Sequence, residues 1–346
     1  MRHFGSGQPL FENILPAPAR VPDCIGTIVI DAEEDFDWNT PVQGTDSSTA
    51  HLKNVLILQG LLSAFDIVPT YLLTYPALED QGVISIIRRQ LDKGQCVVGV
   101  QLHPWVTPPL DDAPSRWRSF SGNLDANLEE QKLVQLKARF HQAFGFDPVV
   151  YRAGRYGLSQ STSYLLEKHD FLIDTSVAPR TNFALEGGQD YSGYDSQPFW
   201  FGFNRRLLEI PLCRDVVGWS GARAPALYRG FSGPLLSRIH APSILTRSRC
   251  AERVTLSPEG NDVGAMRRLV HGQRAKGQQV FTLSFHSSSL QAGRNPYVQS
   301  KADLHGFYDR MSAILDYLQT DLSFLFVSSV EVLGLLATPP GFAGHT

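Results

Sequence analysis

The sequence predicts an α/β fold: a distorted (β/α) barrel, TIM-like, of seven or eight strands with inserted loops. Three observations predict it. Short apolar runs alternate with amphipathic segments along most of the 346 residues, as in chains built from strand–helix units. Several of these runs stop abruptly at an acid or a histidine. No glycine-rich loop follows the first run, where a nucleotide-binding sheet would carry one.

Residues 1–24, with Pro9, Pro16, Pro18 and Pro22, read as an extended lead-in. Residues 25–30 form an apolar first strand that runs into Asp31, Glu33, Glu34, Asp35 and Asp37. Residues 50–64 place Leu52, Val55, Leu56, Leu58, Leu61 and Leu62 near helical spacing. A second strand follows at 68–73, a helix at 83–91, and a third strand at 95–103 that stops at His103 before Pro104. Residues 128–144 form an amphipathic helix with Leu133, Leu136, Phe140 and Phe144 on one side. Asn127 is its expected N-cap and Gly145 its stop.

Residues 148–151 lead as a strand into Arg152, 161–169 is a helix, and 171–173 is a strand ending at Asp174. Two segments break the alternation, at 176–204 and 212–262, on either side of the apolar 207–211. They read as insertions over the active face, where binding surfaces gather. Regular order returns with a helix at 263–275, a strand at 280–285, a helix at 303–319, and final apolar segments at 324–327 and 330–336. The barrel therefore spans 25–336, with 337–346 as a tail.

Thirty-one basic residues against 34 acidic give a net charge of -3, with no long block of either sign. A general attraction to nucleic acid is not expected. Neither the start of the chain nor any later run has the length and apolarity of a signal or spanning segment. The expectation is a cytoplasmic protein without a transmembrane segment, in peripheral contact with the inner membrane at most. Cys24, Cys96, Cys213 and Cys250 are scattered with no Cys-x-x-Cys spacing, as expected of free thiols in a reducing compartment.

Parallel strands would bring the polar run-ends together at the carboxyl edge of one sheet, the chemical face of α/β enzymes. In an extended strand Asp31 and Glu33 share one side and Glu34 faces the other. One carboxylate of such a pair can hold a metal while its neighbour takes a proton from water. The competing reading is an acidic cluster that solvates a strand end or caps a helix. His103 and Gln101 also share a face; imidazole is a good ligand for a divalent transition metal and an amide oxygen a weak one. His286 ends an apolar strand and can donate a proton to a leaving amine. Arg152 can hold Asp31 through a bidentate pair, or form a structural salt bridge. Trp105, Trp200, Trp219 and Tyr297 are candidate stacking surfaces for a sugar ring, with Gly293 to Tyr297 supplying turns beside the histidine loop.

At these residues the chain resembles the polysaccharide deacetylase superfamily, the NodB-homology or carbohydrate esterase 4 fold, over roughly residues 25–330. It is most similar to the members associated with bacterial exopolysaccharide and lipopolysaccharide gene clusters. The resemblance implies a distorted barrel and a divalent metal, zinc first, used to remove acetyl groups from acetylated sugars. Asp31 matches the family's base, Glu33 its metal-binding acid with Asp35 as the alternative, and His103 one of two metal-binding histidines. Gln101 stands at the other expected position. Arg152, in Arg-Ala-Gly-Arg-Tyr-Gly, resembles the arginine that orients the base, and His286 the proton-donating histidine. Leu208 to Pro211 resembles the preceding strand motif, but the acidic partner of the histidine is not identifiable. Arg155, Asn295, Trp105, Trp219 and Tyr297 are the expected substrate-binding residues. The expected partner is an acetylated carbohydrate or glycolipid-linked glycan, with envelope-biosynthesis proteins as possible associates. The rival functions are a non-catalytic glycan-binding homologue with a degraded metal site and a scaffold for envelope biosynthesis.

Overall fold

The first apolar run is buried along its whole length as a strand, Ile25–Ala32, because it is covered on both faces. Consecutive residues of that strand enter different cores. Ile28, Ile30 and Ala32 join the larger cluster, while Ile25 and Val29 join the smaller one. This is the period-two alternation of a strand between two apolar layers. The computed structural model describes residues 11, 14–36, 47–110, 115–218 and 250–339.

Strands β1 (Leu15–Pro16), β2 (Ile25–Ala32), β3 (Thr70–Leu73), β4 (Val97–Leu102), β5 (Val150–Ala153) and β6 (Ile173–Asp174) are followed by β7 (Phe199–Phe201), β8 (Leu207–Glu209), β9 (Arg214–Val217), β10 (Glu252–Thr255), β11 (Val280–His286) and β12 (Leu325–Phe326). The main sheet runs β1-β7-β8-β6-β5-β4-β3-β2-β11, with β12 also on β2. Pairs from β8 through β6, β5, β4, β3 and β2 to β11 are parallel. β7 joins β8 and β1 joins β7 antiparallel. The sheet is therefore mixed rather than wholly parallel, because part of the lead-in and part of the 176–204 insertion add an antiparallel edge. Between β8 and β11 the chain is bridged by single backbone bonds, Cys213 N–H to Thr282 O at 3.3 Å and Ser284 N–H to Leu256 O at 3.2 Å. The 212–262 insertion contributes the separate β9–β10 hairpin.

Helices α1 (Val55–Ala64), α2 (Tyr75–Glu79), α3 (Gln81–Asp92), α4 (Ala126–Phe144), α5 (Gln160–Lys168), α6 (Val263–Ala275), α7 (Lys301–Asp316) and α8 (Ser329–Leu335) complete the alternation. The larger cluster takes their apolar stripes, among them Leu58 and Leu62, Val83 and Ile87, Leu136 and Phe140, and Phe307 and Met311. Three details differ from the sequence expectation. The first turn of the 50–64 helix is a tight 3₁₀ turn, Ala50–Asn54. The N-cap of α4 is Asp125, whose carboxylate accepts the Asn127 N–H at 3.0 Å, while Gly145 ends the helix at φ 86° as expected. Residues 330–336 lie mostly in α8, where Val332 packs with Leu336 into the smaller cluster beside Ile25 and Val280.

That packing leaves the carboxyl ends of the strands for the site. Val29, Leu72, Val150 and Val280 are on the inner face, so Asp31, Arg152 and His286, an even number of residues further on, belong to that face too. Gly99 shows how tightly the strands are set: a Cβ there would lie 2.6 Å from the Val150 carbonyl and 2.9 Å from Leu72.

The turn after β4 is held from outside by a residue the sequence reading placed on a helix and did not single out. Lys132 of α4 is fully buried and donates to the carbonyls of Pro104 (2.8 Å), Thr107 (2.7 Å) and Pro109. A buried ammonium is tolerated when acceptors surround it. Lys132→Met keeps the stem and strands three carbonyls, and is expected to lower unfolding free energy by about 2–3 kcal/mol. Urea denaturation checks this; an unchanged midpoint would show that the ammonium does not clamp the turn.

Candidate metal and catalytic site

Strand β2 delivers Asp31 at its end and the chain then leaves extended geometry, so Glu33, Glu34 and Asp35 do not keep the strict alternation of a strand. All four carboxylates are buried, at 2%, 1%, 1% and 6% exposure, and each meets a basic group. An unpaired buried carboxylate would be costly.

Asp31 receives Arg152 Nη1 on Oδ1 and has His286 Nε2 3.6 Å from Oδ2. Arg152 is fully buried. Its Nη1 also donates to Ser284 Oγ at 3.0 Å, and its Nε to the Thr175 carbonyl at 3.0 Å and hydroxyl at 3.1 Å. The expected bidentate pair is replaced by a single-nitrogen contact, because the guanidinium divides its donors among three residues.

His103 meets Glu34 through Nδ1 at 2.8 Å and Glu33 through Nε2 at 3.5 Å. Burial alone would raise the Glu34 carboxyl, but the charge and hydrogen bond of His103 bring it below the ordinary carboxylate range. Glu33 is pushed well above that range, by burial first, with His286 opposing and Asp31 reinforcing the shift. Glu33 Oε1 is buried without a hydrogen-bond partner. The Glu33 backbone N–H donates to Ser287 Oγ at 3.2 Å. Asp35, the alternative ligand, faces away to other groups: His51 Nδ1 at 3.1 Å and Arg294 Nη1 at 3.1 Å.

His286 takes its partner from a turn inside the 212–262 insertion. Its backbone N–H donates to Glu259 Oε1 at 3.0 Å, and its Nδ1 lies 2.9 Å from Glu259 Oε2. Ser289 Oγ donates to the same carboxylate, and Asn295 donates in turn to Ser289 and Ser288. Glu259 is the acidic partner that sequence reasoning missed. The signal was an acid between Pro258 and Gly260, in a turn where Gly260 has φ 68°. Burial alone would lower the His286 imidazole. Glu259, Glu33 and Asp31 outweigh it and push the pKa up to about 10.

Behind Arg152, Asp174 and Glu209 form a second buried carboxyl pair. Glu209 accepts the Val177 N–H at 2.9 Å, Asp174 accepts Ser176 Oγ, and burial raises both groups.

Donor atoms of Asp31, Glu33 and His286 all lie within 4.8 Å of one another, close enough for one cation. His103 stands beside this group through Glu33. Gln101 is the register partner of Arg152 in β4, buried, with an amide oxygen that makes no hydrogen bond. Trp105 is 8% exposed and stacks on His103 at 4.1 Å between ring centroids, so it supports the ligand rather than offering a free face. Arg155 is turned to Ser119 (2.8 Å) and Glu186 and lies over the Phe120 ring. Asn295 caps the turn at Tyr297 and Val298, both at 3.0 Å. Tyr297 is 41% exposed. Trp200 is buried and donates to the Ala337 carbonyl at 2.7 Å. Trp219 lies outside the described residues.

The donor chemistry fits a divalent transition metal. A metal-bound imidazole usually gives its other ring N–H to a carboxylate, and His103 meets Glu34 in this way through Nδ1 while its Nε2 is turned to the side of Glu33. The uncompensated oxygen of Glu33 is a site a cation would satisfy.

Among solved structures, one from Mycobacterium smegmatis, provisionally called a polysaccharide deacetylase, superposes with TM-score 0.54 at 17% identity. The match covers 93% of this chain and 94% of that one. The chain has this fold. A Parabacteroides distasonis protein, provisionally called a glycoside hydrolase/deacetylase, matches with TM-score 0.54 and 12% identity over 95% of this chain and 72% of that one. Puue allantoinase matches with TM-score 0.52 and 14% identity over 95% of this chain and 96% of that one. No family model matches the sequence, and no curated protein matches it. Identities this low establish architecture, and one architecture serves several chemistries.

Two outcomes test the site. A raised histidine pKa contributes stability that is complete below the unfolded value of 6.5 and is lost as pH rises through about 10. In metal-free protein, Glu259→Gln should therefore lose most stability at the acid end of that interval and converge with the parent at the alkaline end. Denaturation midpoints across the interval check it, and a difference independent of pH would refute the pairing. A Cβ on Gly154 would lie 2.5 Å from His103 Cδ2 and 2.6 Å from the Leu102 carbonyl. Gly154→Ala should thus displace the His103 imidazole and, if the site takes a divalent cation, weaken its affinity about 10–100-fold, as loss of a supporting contact does, measured by competition with a chromophoric chelator.

Proposed function

We propose that the protein is a metal-dependent hydrolase that removes an acetyl group from an acetylated sugar or glycan intermediate in bacterial cell-surface polysaccharide metabolism. The observation that carries this reading is the placement of Asp31 and His286 3.6 Å apart, beside the Glu33–His103 pair. Glu33 and His103 would hold the cation, zinc by preference, with Glu34 fixing the imidazole. Bound there, the metal would supply Lewis acidity and make water a better nucleophile at neutral pH.

The protein's own groups divide the proton transfers. Asp31 Oδ2 accepts the proton of the attacking water. Arg152, on the opposite oxygen Oδ1, keeps the carboxylate oriented. His286, held by Glu259 through Nδ1, presents Nε2 toward the same space and protonates the departing amine or alcohol. The raised basicity of His286 keeps that proton in place at neutral pH. Arg152 is a positioning residue in this scheme and Asp31 the base.

A second reading, a glycan-binding homologue that holds no metal, draws on Gln101, whose amide stands where the resemblance implies a histidine. An amide oxygen is a poor substitute in a site with few ligands. No helix among the described residues is long and apolar enough to cross a membrane. Our reading places the protein in the cytoplasm, acting on a glycolipid-linked glycan at the inner membrane.

Purified protein should bind one zinc ion and release acetate from an acetylated glycan. His103→Ala should lose the metal. Asp31→Asn should retain it while acetate release falls about 10²–10⁴-fold. Metal content is read by elemental analysis and acetate by a coupled assay. Glycan binding without zinc or acetate release would favour the second reading.

A further inference from the structure

A cleft of about 70 Å³ opens directly on the acid side of the site, lined by Tyr156, Arg214, Ser257, Glu259, His286 and Tyr297 among others. It is far smaller than the roughly 300–1,000 Å³ of a whole-ligand pocket, so it suits a substituent rather than a sugar ring. Whatever fills it lies next to His286, on the side of the leaving group.

Arg214 is built into this cleft rather than draped over it. It begins β9, with its backbone N–H on Ser196 Oγ and its carbonyl accepting from the same hydroxyl, both at 3.0 Å. Its Nε donates to Thr255 Oγ1 and its Nη1 to Thr181 Oγ1, both at 2.7 Å. Two hydroxyls thus fix the plane of the guanidinium. The carboxylate in the cleft, Glu259, is already engaged by His286 and Ser289. Arg253 of β10 is exposed and near enough to act electrostatically on Tyr297. A fixed guanidinium is suited to planar, forked recognition of a carboxylate or phosphate.

We infer that this cleft binds an anionic substituent of the substrate through Arg214, with Tyr297 at its mouth, so that the preferred substrate is an acidic sugar rather than a neutral one. The inference rests on the deacetylase reading for the identity of the site but not for its test. The shared chemistry is an oxyanion, and its two sources are a uronic-acid carboxylate and a sugar phosphate.

The experiment measures binding of three matched probes by calorimetry: N-acetylglucosamine, its 6-phosphate, and its 6-carboxylate. The parent and the Arg214→Gln, Arg214→Lys and Asp31→Asn variants are compared. At least one charged probe should bind about tenfold or more tightly than the neutral one, as expected for a charge-assisted contact. Which charged probe is preferred identifies the source. Arg214→Gln should abolish the preference while its circular dichroism stays that of the parent. Arg214→Lys should retain part of it, which separates lost charge from lost folding. Asp31→Asn should keep the preference while losing acetate release. Equal affinity for charged and neutral probes, including failure to bind any, overturns the inference, as does a preference that survives Arg214→Gln. A preference that depends on Arg214 but comes with no acetate release leaves the cleft assignment standing and removes the hydrolase reading.

Discussion

Four carboxylates buried within five residues set the terms for everything around them. Asp31, Glu33, Glu34 and Asp35 follow a strand that is itself fully buried, so their charges cannot be solvated and must be matched inside the fold. Arg152 comes from β5, His103 from the end of β4, His51 from the 3₁₀ turn before α1, and Arg294 from the loop after β11. Each of these basic side chains reaches the cluster only if its own strand or turn is in register. Glu33 Oε1, Glu34 Oε2 and both Asp35 oxygens are buried without a hydrogen-bond partner, and of these three acids Glu33 is the one that lies close enough to Asp31 and His286 to share a further cation with them.

The same constraint separates the roles of two carboxylates that look alike in the sequence. Asp31 is tied to a guanidinium and Glu33 faces an imidazole edge, so their electrostatic environments differ although they are two residues apart. His286 is made strongly basic by the acids that crowd it, chiefly Glu259. Asp31 and His286 face one space 3.6 Å apart, a juxtaposition that general acid–base chemistry would need. The serines and Asn295 that follow His286 do not enter this chemistry directly. They hold Glu259 and the turn at Tyr297 and so fix the direction of the imidazole.

Much of the architecture was legible because hydrophobic periodicity reports burial directly. Strand positions at 25–30, 68–73 and 280–285, and helices at 83–91, 161–169 and 263–275, correspond to observed elements to within a few residues. The misreadings share a cause. The segment 330–336 is too short for apolar content to distinguish a strand from a helix, and its packing with Ile25 and Val280 settled it as a helix. The antiparallel edge β7 is a three-residue run among glycines and aromatics, and its pairing with β8 is a long-range fact that no local pattern carries. Lys132 reads as an ordinary charged helix position, yet three carbonyls from the β4 turn surround it.

The sequence by itself determined the order of elements and the chemical types at the strand ends, since both follow from residue spacing and from the polarity change where a buried strand stops. Asp31, Glu33, His103, Arg152 and His286 could be singled out as candidates on that basis. Only the tertiary structure decided which acid each basic side chain serves. It turned Asp35 toward His51 and Arg294, gave Glu34 to His103, and supplied Glu259 to His286 from a turn preceding α6. Partnership among buried charges depends on distances between segments far apart in the chain, and one-dimensional spacing does not encode those distances.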